Sequence, residues 1–432
     1  MMPRYDELWA GLGLDLDAHD RLLKALPPTY YEVYLKQENR PRGMEYFDFV
    51  INEIHGLRIK ELQEFRQAGG KVVGTFCLYV PEELILAAGG VFVGLCAGIE
   101  VGTARAETVL PRNICPLIKS FMGFKLSRIC PYFESCDLLV GETTCDGKKK
   151  AFEVLADFAP VYVVEVPQKK GPRDRELWLG EIRALAARLE ELTGKKITPE
   201  TLRAALVKVN AKRRALKRLA ALRKADPPPI SGRDALLIYQ IAFYDDVDRF
   251  TAQVNALCDE LEERVRRGEG VVPPGTPRLV ITGTPMAIPN WKVPYIAETS
   301  GAVIVAEELC TGLRYYEELT DERGETTDEL LASIAARHLE FDCACFTPNL
   351  KRIQKIGLLA NEYRAKGVIS YILSFCDPYA VEHYQVEKGL RDRNLPVLKV
   401  ETDYSEHDAG QLRTRIEAFI EMLTGGANTR TE

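Results

Sequence analysis

Leu138-Leu-Val-Gly-Glu-Thr-Thr-Cys-Asp-Gly-Lys-Lys-Lys150 combines three features that decide the fold. The stretch begins with a short apolar strand, Leu138–Gly141, passes through a loop that contains Cys145, and ends in a lysine-rich turn that opens a helix. Short, continuously apolar strands that alternate with helices are typical of a parallel sheet covered on both faces. The stretch therefore predicts an α/β fold with a cysteine at the carboxyl end of a strand.

The same pattern recurs on both sides of this stretch. Other predicted strands of the first half are Lys71–Thr75, Val91–Leu95 and Val161–Val166. The predicted strands of the second half are Arg278–Thr282, Ala302–Ala306, Asp342–Phe346, Gly367–Leu373 and Pro396–Glu401. Because helical patterns lie between many of these strands, we expect two parallel α/β domains.

Helical segments surround the two predicted sheets. Residues 1–68 show apolar residues at helical spacing, and residues 169–275 are rich in Leu, Ala, Arg and Glu. The basic run Lys208–Lys224 lies within the second segment and is interpreted as a solvated helix face, not as a nucleic-acid site. The predicted division is a helical N-terminal region (1–68), a first α/β domain (69–168), a helical insert (169–275) and a second α/β domain (276–432).

Composition excludes several classes of function. The 432 residues carry a formal net charge of −6, so no overall basic field attracts nucleic acid or anionic lipid. The acidic N-terminus does not have the pattern of a signal peptide, and no segment approaches the ~18 apolar residues of a membrane helix. We expect a soluble, cytoplasmic protein with no membrane or nucleic-acid partner.

The eleven cysteines are the unusual feature. Disulfides are rare in the cytosol, and Cys136 and Cys258 fit a packing role in apolar surroundings. Several others follow predicted strands, at the edge where parallel sheets bind ligands: Cys77, Cys96, Cys145, Cys310 and Cys376. Cys115 and Cys130 lie between two strands, and Cys343 and Cys345 lie in the predicted strand Asp342–Phe346. This distribution predicts one shared site between the domains.

The absence of common metal-binding motifs limits the kinds of metal site that these cysteines could form. The chain contains no C-x2-C pair, its five histidines are scattered, and ferredoxin-type cysteine runs do not occur. A redox disulfide relay remains open, but thiolates from two domains favour an iron–sulfur cluster at their interface. Lys148, Lys149 and Lys150 would then balance the cluster's negative charge or dock an acidic partner; a solvated basic turn is the alternative.

Several segments resemble the 2-hydroxyacyl-CoA dehydratase and benzoyl-CoA reductase superfamily. They include Leu110-Pro-Arg-Asn-Ile-Cys-Pro116, Gly141-Glu-Thr-Thr-Cys145, Glu308-Leu-Cys-Thr-Gly-Leu-Arg314, Cys343-Ala-Cys-Phe-Thr-Pro-Asn349 and Phe375-Cys-Asp-Pro-Tyr379. The resemblance implies two flavodoxin-like (Rossmann-like) domains with a helical part, an oxygen-sensitive iron–sulfur cluster and a separate ATP-hydrolysing activator. It also implies that Cys115, Cys145 and Cys376 hold one four-iron cubane.

The richness in cysteine is similar to the double-cubane branch of this superfamily. That resemblance implies a second set of ligands, Cys130, Cys310 and Cys345, for which Cys77, Cys96 and Cys343 compete. The implied function is the reduction of a small molecule at low potential in anaerobic metabolism, by a homodimer with electrons from an ATP-dependent reductase. Candidate proton-donor residues beside the ligands are Glu142, Arg314 and Tyr379, with Asp146 and Asp377 as further neighbours; capping and turn roles are equally compatible.

Other functions remain open at this point. One is a 2-hydroxyacyl-CoA dehydratase subunit, which would have a single 4Fe-4S cluster, a partner subunit and a CoA pocket. Another is a non-catalytic electron-transfer protein with a closed cluster. A zinc-structured binding module fits the cysteine pattern least. The iron content of the chain separates these functions.

Overall fold

Two four-stranded parallel sheets form the framework of the protein in a computed structural model that describes residues 5–425. The strands of the first sheet are β1 Val72–Thr75, β2 Val91–Gly94, β3 Leu138–Glu142 and β4 Val161–Val164. Those of the second are β5 Arg278–Gly283, β6 Val303–Glu308, β7 Gly367–Leu373 and β8 Val397–Thr402. The orders β2-β1-β3-β4 and β6-β5-β7-β8 repeat one flavodoxin-like arrangement, so the predicted fold class is confirmed.

The predicted strand Asp342–Phe346 is wrong. These residues form a turn in which the Phe346 amide donates to the Cys343 carbonyl oxygen at 3.2 Å. The side chain of Asn349 donates to the same oxygen at 3.0 Å, and Asp342 is buried in an ion pair with Lys170. The two cysteines give the segment its apolar character, although it has no β-branched residues to pack in a sheet.

Helices surround both sheets. The N-terminal helices are α1 Asp6–Gly11, α2 Leu16–Tyr30, which continues into a π-helical turn Tyr31–Leu35, α3 Met44–Asn52 and α4 Leu57–Gln67. The first sheet is connected by α5 Glu82–Ala87, α6 Thr103–Ala106, α7 Pro116–Leu126, α8 Pro131–Ser135 and α9 Asp146–Leu155. The helical stretch that follows contains α10 Pro172–Thr193, α11 Pro199–Leu222, α12 Gly232–Ile241 and α13 Val247–Arg266. The second sheet is accompanied by α14 Lys292–Thr299, α15 Leu313–Tyr316, α16 Thr327–Leu339, α17 Leu350–Glu362, α18 Asp377–Arg391 and α19 Ala409–Gly425.

These elements agree with the helical character expected for residues 169–275 and for the described part, 5–68, of the predicted N-terminal region 1–68; the domain limits remain predictions. Helix α11 shows how the local sequence sets an element, because Thr198 caps its first turn and Pro199 occupies the first helical position. Within residues 5–425, no helix combines the length and the apolar character that crossing a membrane would require.

Buried ion pairs join α11 to the first residues of α5. Lys212 contacts Glu82 at 2.6 Å, and Arg213 contacts Glu83 at 2.7 Å, with all four side chains almost fully buried. Tyr315, in the short helix after β6, also donates a hydrogen bond to Glu82. The carboxylate of Glu82 therefore connects the first sheet, the helical insert and the second sheet.

Replacing Lys212 with methionine is expected to lower the free energy of unfolding by about 3–5 kcal/mol, because Glu82 would remain buried without its counter-charge. Urea denaturation of the purified chain measures this loss. The matched control is Lys208→Met on the same helix, since Lys208 makes an exposed pair with Asp248 and should contribute little. Equal stability of the two variants would contradict the expected role of Lys212.

Candidate functional site

A cavity of about 1950 Å³ lies between the carboxyl-terminal edges of the two sheets. Its walls come from the loops that follow β1, β2 and β3 in one half and β5, β6 and β7 in the other. Parallel sheets bind ligands at this edge, beside the point where the strand order reverses. Of the eleven cysteines, eight line this space, which we call the cysteine cavity: Cys77, Cys96, Cys115, Cys145, Cys310, Cys343, Cys345 and Cys376.

The first group of thiols consists of Cys115, Cys145 and Cys376. Each residue immediately precedes a helix, namely α7, α9 and α18, respectively. A hydrogen bond from the Cys376 thiol lowers the pKa of Cys115, and the amide groups at the start of α7 act in the same direction. The Lys148 amide also donates to Cys145 Sγ at 3.4 Å. Helix N-termini favour thiolates, but within this group only the pKa of Cys115 is lowered: burial raises the pKa of Cys145, and the hydrogen bond to Cys115 together with burial raises that of Cys376.

The second group consists of Cys77, Cys310, Cys343 and Cys345. A hydrogen bond from Cys345 and the charge of Arg314 lower the pKa of Cys343 to about 6, although burial opposes this shift. Cys345 Sγ lies 3.9 Å from the Tyr79 hydroxyl. Burial raises the pKa of Cys77, and the thiols of Cys310 and Cys343 are close enough to raise it further. The cavity thus holds two sets of thiols contributed by both halves of the chain. Cys96, the eighth cysteine of the wall, is close enough to both Cys115 and Cys310 for their charges to act on it, and it belongs to neither set alone.

A buried ion pair lies between the two groups of thiols. Lys148 contacts the carboxylate of Glu142, and its ammonium is 3.4 Å from the Phe76 carbonyl oxygen. Burial alone would lower the pKa of Lys148, but the charges of Glu142 and the thiols of Cys77 and Cys96 raise it. Glu142 keeps one buried carboxylate oxygen without a hydrogen bond. The pair is neutral overall, and it places the Lys148 ammonium in the wall of the cysteine cavity with Glu142 behind it.

A second charged network supports the other side of the cavity. Arg314 pairs with Glu308 at 2.5 Å and donates to the Tyr379 hydroxyl, while its guanidinium lies 3.8 Å from Cys310 Sγ. Tyr379 in turn lies 3.8 Å from Cys343 Sγ. Arg352 contacts Glu308 from the opposite side at 3.0 Å. The structure therefore places Arg314 and Tyr379, two of the predicted site residues, against the second group of thiols.

Comparison with known proteins agrees with this arrangement. The sequence model described as 2-hydroxyglutaryl-CoA dehydratase, D-component, matches residues 77–423. The chain belongs to this family. It is 39% identical to the putative dehydratase subunit YjiM of Escherichia coli K12 over 365 residues, which cover 84% of this chain and 94% of that protein.

Two further relatives are less similar in sequence. The (R)-phenyllactyl-CoA dehydratase beta subunit of Clostridium sporogenes is 28% identical over 84% of this chain and 94% of its own length. A benzoyl-CoA reductase subunit of Thauera aromatica is 23% identical over 79% of this chain and 87% of its own length. The relatives that the chain is similar to are thus dehydratase and reductase subunits, in agreement with the enzymatic role expected for the chain.

Five of the six cysteines expected to bind a cluster lie in the cysteine cavity of this dehydratase family member, and Cys130 does not. Cys130 is buried at the start of α8 and faces a separate small space, where burial raises its pKa to about 12. Cys136 and Cys258 also lie outside the cavity, as their packing roles predict. The structure thus brings Cys77 and Cys343 to the second group instead of Cys130.

The sequence pattern did not distinguish Lys148, which lies in the cavity wall, from Lys149 and Lys150. Lys149 and Lys150 pair with Asp146 and Glu153 at the surface, whereas Lys148 points into the protein. The sequence did contain a sign of the inward orientation of Lys148. This residue lies four and seven positions before the buried Phe152 and Leu155, so it shares their face of α9. Asp146 and Asp377 line the cavity, but Asp146 is turned toward the surface lysine.

Acid is expected to weaken the Glu308 network. Burial alone would raise the pKa of Glu308, but Arg314 and Arg352 lower it to about 2, below its ordinary value of 4.5. Because the folded pKa is depressed, this stabilisation is present above about pH 4.5 and is lost as the pH falls toward 2. Urea midpoints measured across this range should decrease on acidification. Glu308→Gln should be less stable at pH 7 and lose stability less steeply in acid, and a parallel decline of both proteins would contradict this prediction.

Proposed function

We propose that the chain holds an iron–sulfur cluster in the cysteine cavity and reduces a small molecule at low potential. The observation that carries this proposal is the presence of eight cysteines from both halves around one space. Thiolates are the usual protein ligands of iron–sulfur clusters, and a cavity between two α/β halves can limit solvent access to them. The type and number of these donors suit such a group, although no three cysteine, histidine or carboxylate side chains among residues 5–425 already stand at the spacing that a metal ion requires.

The division of the thiols into two groups supports a double-cubane (8Fe-9S) cluster over a single 4Fe-4S cluster. Cys115, Cys145 and Cys376 would hold one half. Cys310 and Cys345 would hold the other, together with Cys77 or Cys343, since both lie beside them and Cys130 does not. A bound cluster would supply low-potential electrons at the cavity wall.

The chain's own residues would set charge and hydrogen bonding around the reacting molecule. The Lys148 ammonium would lie beside several thiolates with the Glu142 carboxylate as its counter-charge, and the free oxygen of that carboxylate would be able to accept a proton behind the cavity wall. Arg314 would orient the Tyr379 hydroxyl toward Cys343. These contacts suit residues that deliver protons to a substrate as it accepts electrons.

An ATP-hydrolysing reductase is the proposed electron donor. Two apolar side chains that line the cysteine cavity are unusually exposed: Phe375, the neighbour of Cys376 in the chain, is 51% accessible, and Tyr384 is 67% accessible. Exposed apolar residues in such a group are typical of a surface that a partner covers. A homodimer is also expected from the resemblance to the double-cubane branch.

The main alternative is a subunit of a 2-hydroxyacyl-CoA dehydratase with one 4Fe-4S cluster. The names of YjiM and of the phenyllactyl-CoA dehydratase beta subunit favour it, as does a cavity wide enough for a ligand larger than a few atoms. In that case the first group alone would bind iron. A non-catalytic electron-transfer protein is a second alternative, and it would not respond to small reducible molecules.

Iron and acid-labile sulfide per chain, measured after purification without oxygen, test the proposal. A brown protein with about eight irons supports the double cubane, whereas about four irons favours the dehydratase subunit. The double-cubane protein should then oxidise a reduced ATP-dependent donor when a small substrate is added. A colourless protein after anaerobic reconstitution would overturn the cluster proposal.

A further inference from the structure

Tyr79 is a buried residue of the first half of the chain that reaches the second group of thiols. It lies in the loop between β1 and α5 and is only 1% exposed. Its hydroxyl is 3.9 Å from Sγ of Cys345, a residue of the second half. Among residues 5–425, this is the only hydrogen-bond contact of the Tyr79 hydroxyl. The contact therefore joins the two halves of the chain at a thiol of the cysteine cavity.

Aromatic side chains fix the orientation of the Tyr79 ring. Its centroid lies 5.9, 5.4 and 6.0 Å from those of Trp178, Phe341 and Phe346, and each pair meets edge to face. These three neighbours are themselves buried. Such contacts favour one ring orientation, and the hydroxyl of a tyrosine follows its ring. The packing thus keeps the Tyr79 hydroxyl directed at Cys345 and away from solvent.

The turn that carries Cys343 and Cys345 is contacted by one tyrosine from each half of the chain. On the other side of the turn, the Tyr379 hydroxyl lies 3.8 Å from Cys343 Sγ and accepts a hydrogen bond from Arg314. A tyrosine hydroxyl keeps its proton at neutral pH, and a thiolate has no proton to donate. When Cys345 is a thiolate, the hydrogen bond must therefore run from Tyr79 to the sulfur.

We propose that Tyr79 is a positioning residue, which donates a hydrogen bond to Cys345 and holds this cysteine in the second group of thiols. Hydrogen bonds to a charged acceptor are stronger than those between neutral groups, so the bond stabilises the Cys345 thiolate in the metal-free chain. Binding of a cluster by Cys345 rests on the proposed function. In that state the same bond would favour the reduced, more negative form and raise its midpoint potential.

Alkylation of Cys345 in the metal-free chain tests this contact without a cluster. In a Cys343→Ala background, Cys345 is the only thiol of the turn, and mass spectrometry follows its labelling by iodoacetamide at pH 7. Adding Tyr79→Phe is expected to slow this labelling about three- to tenfold, because the thiolate loses a hydrogen bond. Tyr363→Phe is the matched control and should leave the rate unchanged. Tyr363 is also buried, but its hydroxyl donates to the Ala220 carbonyl oxygen at 3.0 Å.

The iron-loaded protein, purified without oxygen, gives a second measurement. Tyr79→Phe should retain the iron content of the unmodified chain and show a lower midpoint potential in a redox titration monitored by electron paramagnetic resonance. Tyr363→Phe should change neither quantity. Circular dichroism establishes that both variants are folded. A residue that only packs the protein interior would change the free energy of unfolding and leave the midpoint potential where it was.

The outcomes separate this inference from the proposed function. Equal labelling of Cys345 with and without the Tyr79 hydroxyl would overturn the inference. An unchanged midpoint potential in iron-loaded Tyr79→Phe would also overturn it. Slower labelling in a chain that binds no iron would support the contact and count against the cluster, because the labelling experiment does not depend on iron.

Discussion

A Cys115→Ser variant purified without oxygen is expected to retain less than half of the iron bound by the unmodified chain. Cys115 is the thiol of the first group whose pKa is lowered, both by its hydrogen bond from Cys376 and by the start of α7. Serine is a poor substitute for a thiolate that binds iron. Iron analysis and the visible absorption spectrum measure the loss, with anaerobic circular dichroism to establish that the variant is folded.

Two serine variants outside the cavity are the matched controls. Cys130 and Cys258 are as buried as Cys115 but face a different space or a helix core. Cys130→Ser and Cys258→Ser should therefore keep the full iron content. Iron loss in Cys130→Ser equal to that in Cys115→Ser would contradict the ligand set that we propose.

The second group of thiols separates the two cluster types. Cys310→Ser and Cys345→Ser should each lower the iron content if the chain holds a double cubane, because both residues would bind the second half. If a single cubane is bound by the first group, these variants should keep all of the iron. The same comparison applied to Cys77→Ser and Cys343→Ser identifies the sixth ligand.

Replacing Lys148 with methionine is expected to have the other large effect. Lys148 is only 8% exposed, and its removal would leave the fully buried Glu142 without a counter-charge. Removing one partner of a buried pair lowers the free energy of unfolding by about 3–5 kcal/mol. We also expect a cluster that is harder to reduce, because a positive charge beside the thiols would be lost. Urea denaturation and a redox titration monitored by electron paramagnetic resonance measure the two effects.

The same helical turn provides the control for Lys148. Lys149 is exposed and pairs with Asp146, so Lys149→Met should change neither stability nor the midpoint potential appreciably. Combining Lys148→Met with Glu142→Gln should restore part of the stability, since the buried charge is then removed as well. A redox midpoint that is the same in Lys148→Met and Lys149→Met would show that Lys148 does not act on the cluster.

The sequence alone was sufficient to predict the two parallel sheets. Runs such as Gly367–Leu373 are apolar except for Ser370, and a sheet covered on both faces buries every side chain of such a strand. Cysteines that follow those strands could be assigned to one edge because all strands of a parallel sheet end there. Pro116 occupies the first position of α7 directly after Cys115, and Pro378 lies in the first turn of α18 after Cys376, which are positions that proline favours.

Only the tertiary structure decided which cysteines meet. Cys115 and Cys130 lie in the same connection between β2 and β3, yet α7 separates them and places Cys130 beside a separate small space. Cys343 reaches the second group because Asp342–Phe346 turns where the apolar pattern predicted a strand. Burial of Lys148 against Glu142 depends on how α9 packs on its sheet. A sequence pattern can show at which edge of a sheet a residue lies. The distances between residues at the edges of the two sheets depend on packing among segments that are far apart in the chain.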